Sequence, residues 1–219
     1  MFLHGWGLDH RCFLNFSKSL INYKCVLIDL YGFGNSEGRA NLTLYDYAKG
    51  VEDILRENNL TNVTVLGHSF GGKIGLLLST MSTRVKNLII IDASGIKPRF
   101  SIKKFYLIHK YKLLKLLKLN TDNYGSEDYR ALSEDMKSTF VNVVNTHLNK
   151  IVKNIVQDTL IIWGDKDKDT PLYMAHKLNR RIKNSSLIVL HGSHYAYAEN
   201  SYSFFRILKA YLDGVYVCS

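Results

Sequence analysis

Apolar residues along this chain gather into short continuous runs, separated by stretches with helical spacing. KCVLIDL (Lys24–Leu30), Val63–Leu66, VKNLIIID (Val85–Asp92), TLIIW (Thr159–Trp163) and SLIVL (Ser186–Leu190) have strand length, and Met1–Leu3 reads as the end of another strand. Between them, Leu44, Tyr47, Ala48, Val51, Ile54 and Leu55 recur at helical intervals within 42–56. Further helices are predicted over 11–20, 70–80, 171–182 and 201–212. Strands apolar throughout, alternating with helices, predict a mainly parallel sheet covered on both faces. Residues 95–154 break the rhythm, with no strand pattern and much helix-forming sequence. The predicted architecture is therefore an α/β core made of 1–94 and 155–219, with a helical lobe inserted over 95–154.

One loop carries candidate chemistry. The strand at 63–66 runs into GHSFGG (67–72), where Ser69 stands between Gly67 and Gly71. Those glycines remove side chains where the strand and the next helix come close. The helix starting beneath the serine offers free N–H groups and a partial positive charge. G-x-S-x-G arises by chance; an apolar strand before it and a helix after it are what a nucleophile elbow requires, and both are predicted here. A serine hydroxyl needs a base, and the base needs an orienting carboxylate. Two later strand ends supply candidates. After TLIIW and Gly164 come Asp165, Asp167 and Asp169, which spacing alone does not separate, and Asp169 could instead cap the helix near Pro171. After LIVL come His191 and His194. The resulting order of serine, acid, histidine matches one family of hydrolases.

With these segments in place, the chain resembles the α/β-hydrolase family over nearly its whole length. The matching stretches are HGWG (4–7), DLYGFGNSEG (29–38), GHSFGG (67–72), WGDKDKDTP (163–171) and GSHYAYAEN (192–200). The resemblance implies Ser69 as nucleophile, His194 rather than His191 as base, and Asp167 as acid with Asp169 in reserve. It implies the N–H groups of Trp6 and Phe70 as oxyanion donors, a cap over the site, and no cofactor or metal. His4 is expected to brace the oxyanion loop, His68 to face away from the site, and Trp163 to pack at a strand end. Two strands that usually precede the HG loop are missing before Met1, so the sheet is expected to be N-terminally shortened. That leaves Lys24–Leu30 as an exposed edge suited to a homodimer.

The implied activity is a serine hydrolase acting on a small or medium carboxylic ester. Carbon–carbon, lactone, thioester and aminopeptidase-type hydrolysis share the fold. HGWGLDHRCF and DLYGFGNSEG also resemble esterases that demethylate pimeloyl groups on acyl carrier protein. The contrasting class is a catalytically degraded interaction protein, against which the intact Ser, Asp and His argue.

Composition changes the picture at one place. The chain has 219 residues, 46% hydrophobic and 22% charged, with a net charge of +10. It shows no zinc-finger, RNP or helix-turn-helix signature, so nucleic acid is not an expected partner. No apolar run approaches the roughly 20 residues that span a bilayer. Cys12, Cys25 and Cys218 have no metal-ligand spacing and read as free thiols of a cytoplasmic protein. Within 99–118, Ile102, Phe105, Tyr106, His109, Leu113, Leu116 and Leu117 follow helical spacing among many lysines. A cap helix with its apolar face on the site is expected; a membrane surface is the weaker alternative.

Overall fold

The computed structural model describes residues 1–100, 127–130 and 132–217, together with positions 102, 106, 107, 110, 114 and 116. Six strands form one sheet: β1 (Phe2–Leu3), β2 (Leu27–Ile28), β3 (Val63–His68), β4 (Val85–Ile91), β5 (Asp158–Gly164) and β6 (Ser185–Leu190). All pair in parallel, in the order β2-β1-β3-β4-β5-β6. The apolar runs are explained by burial on both sides. In β4, Leu88 and Ile90 join one core while Ile89 and Ile91 join the other. Each such side chain, fully removed from water, contributes roughly 1.5–3 kcal/mol.

The edge strand is shorter than the seven-residue run at 24–30 suggests. Phe2 N–H still donates to Val26 O at 2.8 Å. The Leu30 N–H instead turns to the His4 ring, donating to Nε2 at 3.0 Å, and the strand ends.

Eight helices are described: α1 (Leu14–Ser19, entered through a 3-10 turn at His10–Phe13), α2 (Leu44–Glu57), α3 (Phe70–Met81), α4 (Glu127–Arg130), α5 (Glu134–Asn145), α6 (Tyr173–Arg181), α7 (Ala196–Glu199) and α8 (Ser201–Val217). Helix α2 starts where its sequence says it should. The Asp46 N–H donates to Thr43 Oγ1 and the Thr43 N–H donates to Asp46 Oδ2, a reciprocal cap. Its buried stripe of Leu44, Tyr47, Ala48, Val51 and Leu55 packs with α3 on one face of the sheet. Phe13, Tyr197, Phe204 and Leu208 cover the other face. Asp169 caps no helix: α6 begins at Tyr173, and its N-cap Leu172 makes no side-chain cap.

No described residue within 95–154 joins the sheet. Hydrogen bonds tie the segment to the core. Among them, Leu42 N–H donates to Thr139 Oγ1 (3.0 Å), Arg99 N–H donates to Tyr173 Oη (3.0 Å), and Lys73 Nζ donates to Val143 O (2.5 Å). Lys73 is buried, and burial lowers its pKa to about 8. The expectation that the apolar face of 99–118 covers the site is corrected where it can be read. Its described members Ile102, Tyr106 and Leu116 are 78%, 63% and 79% exposed. Phe105, His109, Leu113 and Leu117 lie outside the described residues.

Candidate active site

Strand β3 delivers Ser69 to its carboxyl end, and the turn into α3 holds it in a left-handed conformation, φ 50° and ψ −106°. A non-glycine residue there stores of order 1–3 kcal/mol of strain. The flanking glycines are required sterically. A Cβ on Gly67 would meet the Gly71 carbonyl at 2.4 Å, and one on Gly71 would meet Leu3 O at 2.1 Å. The Ser69 N–H donates to Ile91 O at 2.9 Å, and its carbonyl accepts from Ser94 N–H at 3.1 Å, which fixes the turn against β4.

The loop after β6 brings His194 over this serine. Its Nε2 lies 2.9 Å from Ser69 Oγ, and its Nδ1 lies 2.8 Å from Asp167 Oδ2. An ionised carboxylate only accepts, so Nδ1 carries the proton and Nε2 is free to accept one from the hydroxyl. Asp167 is buried and its carboxylate is fully engaged. Oδ1 accepts from the N–H groups of Asp169 (2.8 Å) and Thr170 (2.9 Å), while Oδ2 also accepts from Thr170 Oγ1 (2.6 Å). Burial alone would raise its pKa. The hydrogen bonds from His194 and Thr170 outweigh that and hold it below the ordinary carboxylate value.

The competing residues lie elsewhere. Asp169 contributes its N–H to Asp167 but keeps its own side chain in solvent. His191 is exposed and pairs with Asp165, Nδ1 to Oδ2 at 2.9 Å. Trp163 is fully buried and donates its indole N–H to Thr170 O at 2.6 Å, in keeping with strand-end packing.

The HGWG loop reaches the site beside Ser69. His4 Nδ1 donates to Gly5 O at 2.8 Å, while His4 Nε2 accepts from Leu30 N–H. The ring is neutral, its pKa lowered by burial. Phe70 is the first residue of α3 and has no intrahelical acceptor for its N–H. Among the described residues no hydrogen bond occupies the Trp6 N–H. The Trp6 ring meets Phe33, Phe70 and Phe140 edge-on at 5.0, 5.1 and 5.1 Å, joining the loop, α3 and α5.

His68 does not turn away from the site. Its Nε2 donates to the His194 carbonyl at 2.9 Å, and its ring lies 4.9 Å from the His194 ring. As the last residue of β3 it points to the face packed by Tyr197, and the His194 loop descends on that same face. Burial, with His194 nearby, pushes its pKa down to about 3, so the ring is neutral. No sequence motif assigns a role to two further residues at the site. Thr170 follows the acid loop and clamps Asp167. Asp92 follows β4, fully buried with φ 45°; its Oδ1 accepts from Gly164 N–H at 2.8 Å, and its Oδ2 has no hydrogen-bond partner among the described residues. Burial, reinforced by the Asp167 charge, raises the Asp92 pKa to about 8. An acid closing an otherwise apolar strand was the signal available in the sequence.

Two clusters have metal-ligand proximity among the described residues: Asp167, Asp169 and His194, and Asp9, His10 and Asp29. In both, hydrogen bonds within the protein already use oxygens or ring nitrogens of the cluster.

Residues 1–118 match the family described as alpha/beta hydrolase fold. The chain belongs to that family. It is 26% identical over 89% of its length to the AB hydrolase superfamily protein YisY of Bacillus subtilis (strain 168), covering 85% of that protein. It is 25% identical over 97% of its length to the pimeloyl-[acyl-carrier protein] methyl ester esterase of Wigglesworthia glossinidia brevipalpis, covering 92% of it. In fold it is similar to the esterase EaEST from Exiguobacterium antarcticum, with a TM-score of 0.79 and 23% identity over 97% of this chain and 90% of that one.

Proposed function

We propose that this protein is a serine hydrolase that cleaves a carboxylic ester of small or medium size, with Ser69, His194 and Asp167 as its triad. The observation that carries the reading is the unbroken hydrogen-bonded line from Ser69 Oγ through both nitrogens of His194 to Asp167, at 2.9 and 2.8 Å. His194 Nε2 takes the hydroxyl proton as Ser69 Oγ attacks the ester carbonyl. The carbonyl electrons move to oxygen, which the N–H groups of Phe70 and Trp6 receive. Collapse breaks the bond to the alcohol, which leaves with the proton from Nε2. Water, deprotonated by the same nitrogen, then attacks the acyl-enzyme, and the acid and Ser69 are released. Asp167 keeps the proton on Nδ1 and stabilises the imidazolium. Removing one oxyanion donor from such a site costs roughly 3–4 kcal/mol. The 95–154 segment serves as the cap, with α5 resting on Trp6. The esterase names carried by similar proteins support an ester as substrate.

The test is a series of p-nitrophenyl esters of increasing acyl length, run with the parent, Ser69→Ala and His194→Ala. The expected loss in kcat is at least about 10⁴-fold for each variant. Equal turnover by the parent and both variants overturns the assignment.

A further inference from the structure

The acid side of the site holds a carboxyl that the mechanism does not use. Asp92 stands just past β4, fully buried, in a left-handed backbone (φ 45°) that a β-carbon resists. Its Oδ1 takes the Gly164 N–H at 2.8 Å. That duty needs one acceptor, which serine or asparagine would supply without a charge. The second oxygen, Oδ2, has no hydrogen-bond partner among the described residues. Among the described residues no ion pair includes Asp92. The side-chain charges that act on it most strongly are those of Asp167 and Glu199, both negative.

The neighbouring rings direct their donors elsewhere. His68, one strand over, donates to the His194 carbonyl at 2.9 Å, and His194 gives its Nδ1–H to Asp167 at 2.8 Å. Tyr197 on α7 is neutral, its phenol pKa pushed up by burial. Asp92 and Asp167 lie within hydrogen-bond reach of one another and flank one hydroxyl: Thr170 Oγ1 is 2.6 Å from Asp167 Oδ2 and 3.0 Å from Asp92 O. Two buried carboxyls this close do not both ionise. The charge settles where the donors are. Asp167 accepts from two N–H groups, a hydroxyl and His194, which fill its four lone-pair directions, whereas Asp92 has the single Gly164 N–H. Asp167 needs no fifth donor from Asp92; it needs Asp92 not to bring a second charge.

We propose that Asp92 is held as a neutral acid and serves as a positioning residue for the triad, keeping a single negative charge, that of Asp167, behind His194. Loss of the Asp92 proton in alkaline solution puts a second charge there. The two carboxylates then repel, and the imidazolium form of His194 is favoured, so Nε2 is less available to take the Ser69 proton. Burial, reinforced by Asp167, raises the Asp92 pKa to about 8, which places the change just above neutrality. The catalytic half of this inference rests on the ester-hydrolase reading; the protonation of Asp92 does not.

The experiment has two arms. Infrared spectra of the full chain are recorded from about pH 6, where ordinary carboxylates are ionised, to about pH 10. The parent is expected to show the C=O stretch of a protonated carboxyl at the acid end, lost as pH rises through about 8, and Asp92→Asn to lack it. Hydrolysis of p-nitrophenyl acetate by parent and Asp92→Asn is followed over the same range, corrected for the uncatalysed rate. Asparagine keeps the acceptor for the Gly164 N–H and stays neutral at every pH. The alkaline limb of kcat/KM should therefore move up by at least about one pH unit in the variant, or vanish, while the acid limb, set by His194, moves by less than about 0.3 unit. Absence of the infrared band from the parent, or its survival in folded Asp92→Asn, overturns the proposal. So does an alkaline limb that is missing from the parent or left in place by the substitution. An acid limb lowered by about one unit overturns it too, since that is the effect of removing an ionised neighbour. The parent's spectra decide the matter if the variant misfolds. They need no turnover, so a protein that hydrolyses no ester loses the hydrolase reading and is still judged on its Asp92 proton.

Discussion

Replacing Thr170 by valine removes a hydroxyl while keeping the side chain's shape. That hydroxyl has one hydrogen to give, and its shortest contact is Asp167 Oδ2 at 2.6 Å, against 3.0 Å to Asp92 O. The bond lost is therefore buried and charge-assisted, worth about 1.5–3 kcal/mol of stability at neutral pH. Asp167 retains two N–H donors and His194, but the oxygen shared with His194 is less firmly held, and kcat should fall about 10–100-fold. The assay is a double-mutant cycle by urea unfolding, with Thr170→Val, Asp167→Asn and the pair. If the hydroxyl acts on the carboxylate, its loss costs little once Asp167 is asparagine, and the coupling is about 1.5 kcal/mol or more. Strict additivity refutes the reasoning. The pH dependence follows from the lowered Asp167 pKa. The folded state holds the charged form more tightly than the unfolded chain does. This stabilisation is present above the ordinary value of about 4 and is lost as pH falls through the folded value, so the Thr170→Val penalty fades in acid.

Two further substitutions test the surroundings of the site. Asp92 has a raised pKa, about 8, so between roughly pH 4 and 8 the folded state holds a proton on it that the unfolded chain has released, and its own contribution to stability falls as pH rises. Asp92→Asn should therefore gain on the parent as pH rises, by about 1–3 kcal/mol at pH 9, read by urea melts; a difference between variant and parent that does not change with pH overturns the argument. His68→Phe keeps a ring and removes the donor to the His194 carbonyl, so kcat should fall about tenfold with KM within about twofold; a change confined to KM would contradict this positioning role.

The legible parts of this molecule are those whose requirements are local. Ser69 could be read because a strand end, two glycines and a helix start are all written within 63–81. The apolar strands could be read because both faces of the sheet are covered. Asp167 and Asp169 could not be separated by spacing. What distinguishes them is burial against Thr170 and His194, set by packing between distant segments. The direction of His68 was misjudged for a similar reason: the left-handed turn at Ser69 leaves the preceding side chain on the strand's own face, where the His194 loop lands. Thr170 and Asp92 act only through partners that the fold supplies. The 24–30 run loses strand at its end because Leu30 hydrogen-bonds a histidine ring, a contact no periodicity encodes.

The aromatic contacts of Trp6 give this protein a built-in optical reporter. The chain has two tryptophans, and Trp163 is sealed in the core with its indole hydrogen bond satisfied. Trp6 is the half-buried one, wedged among Phe33, Phe70 and Phe140. A shift of α5 against the rest of the molecule changes the polarity around one indole and leaves the other as a constant background. Steady-state emission therefore reports any change in the packing of α5 against the Trp6 loop without any added dye.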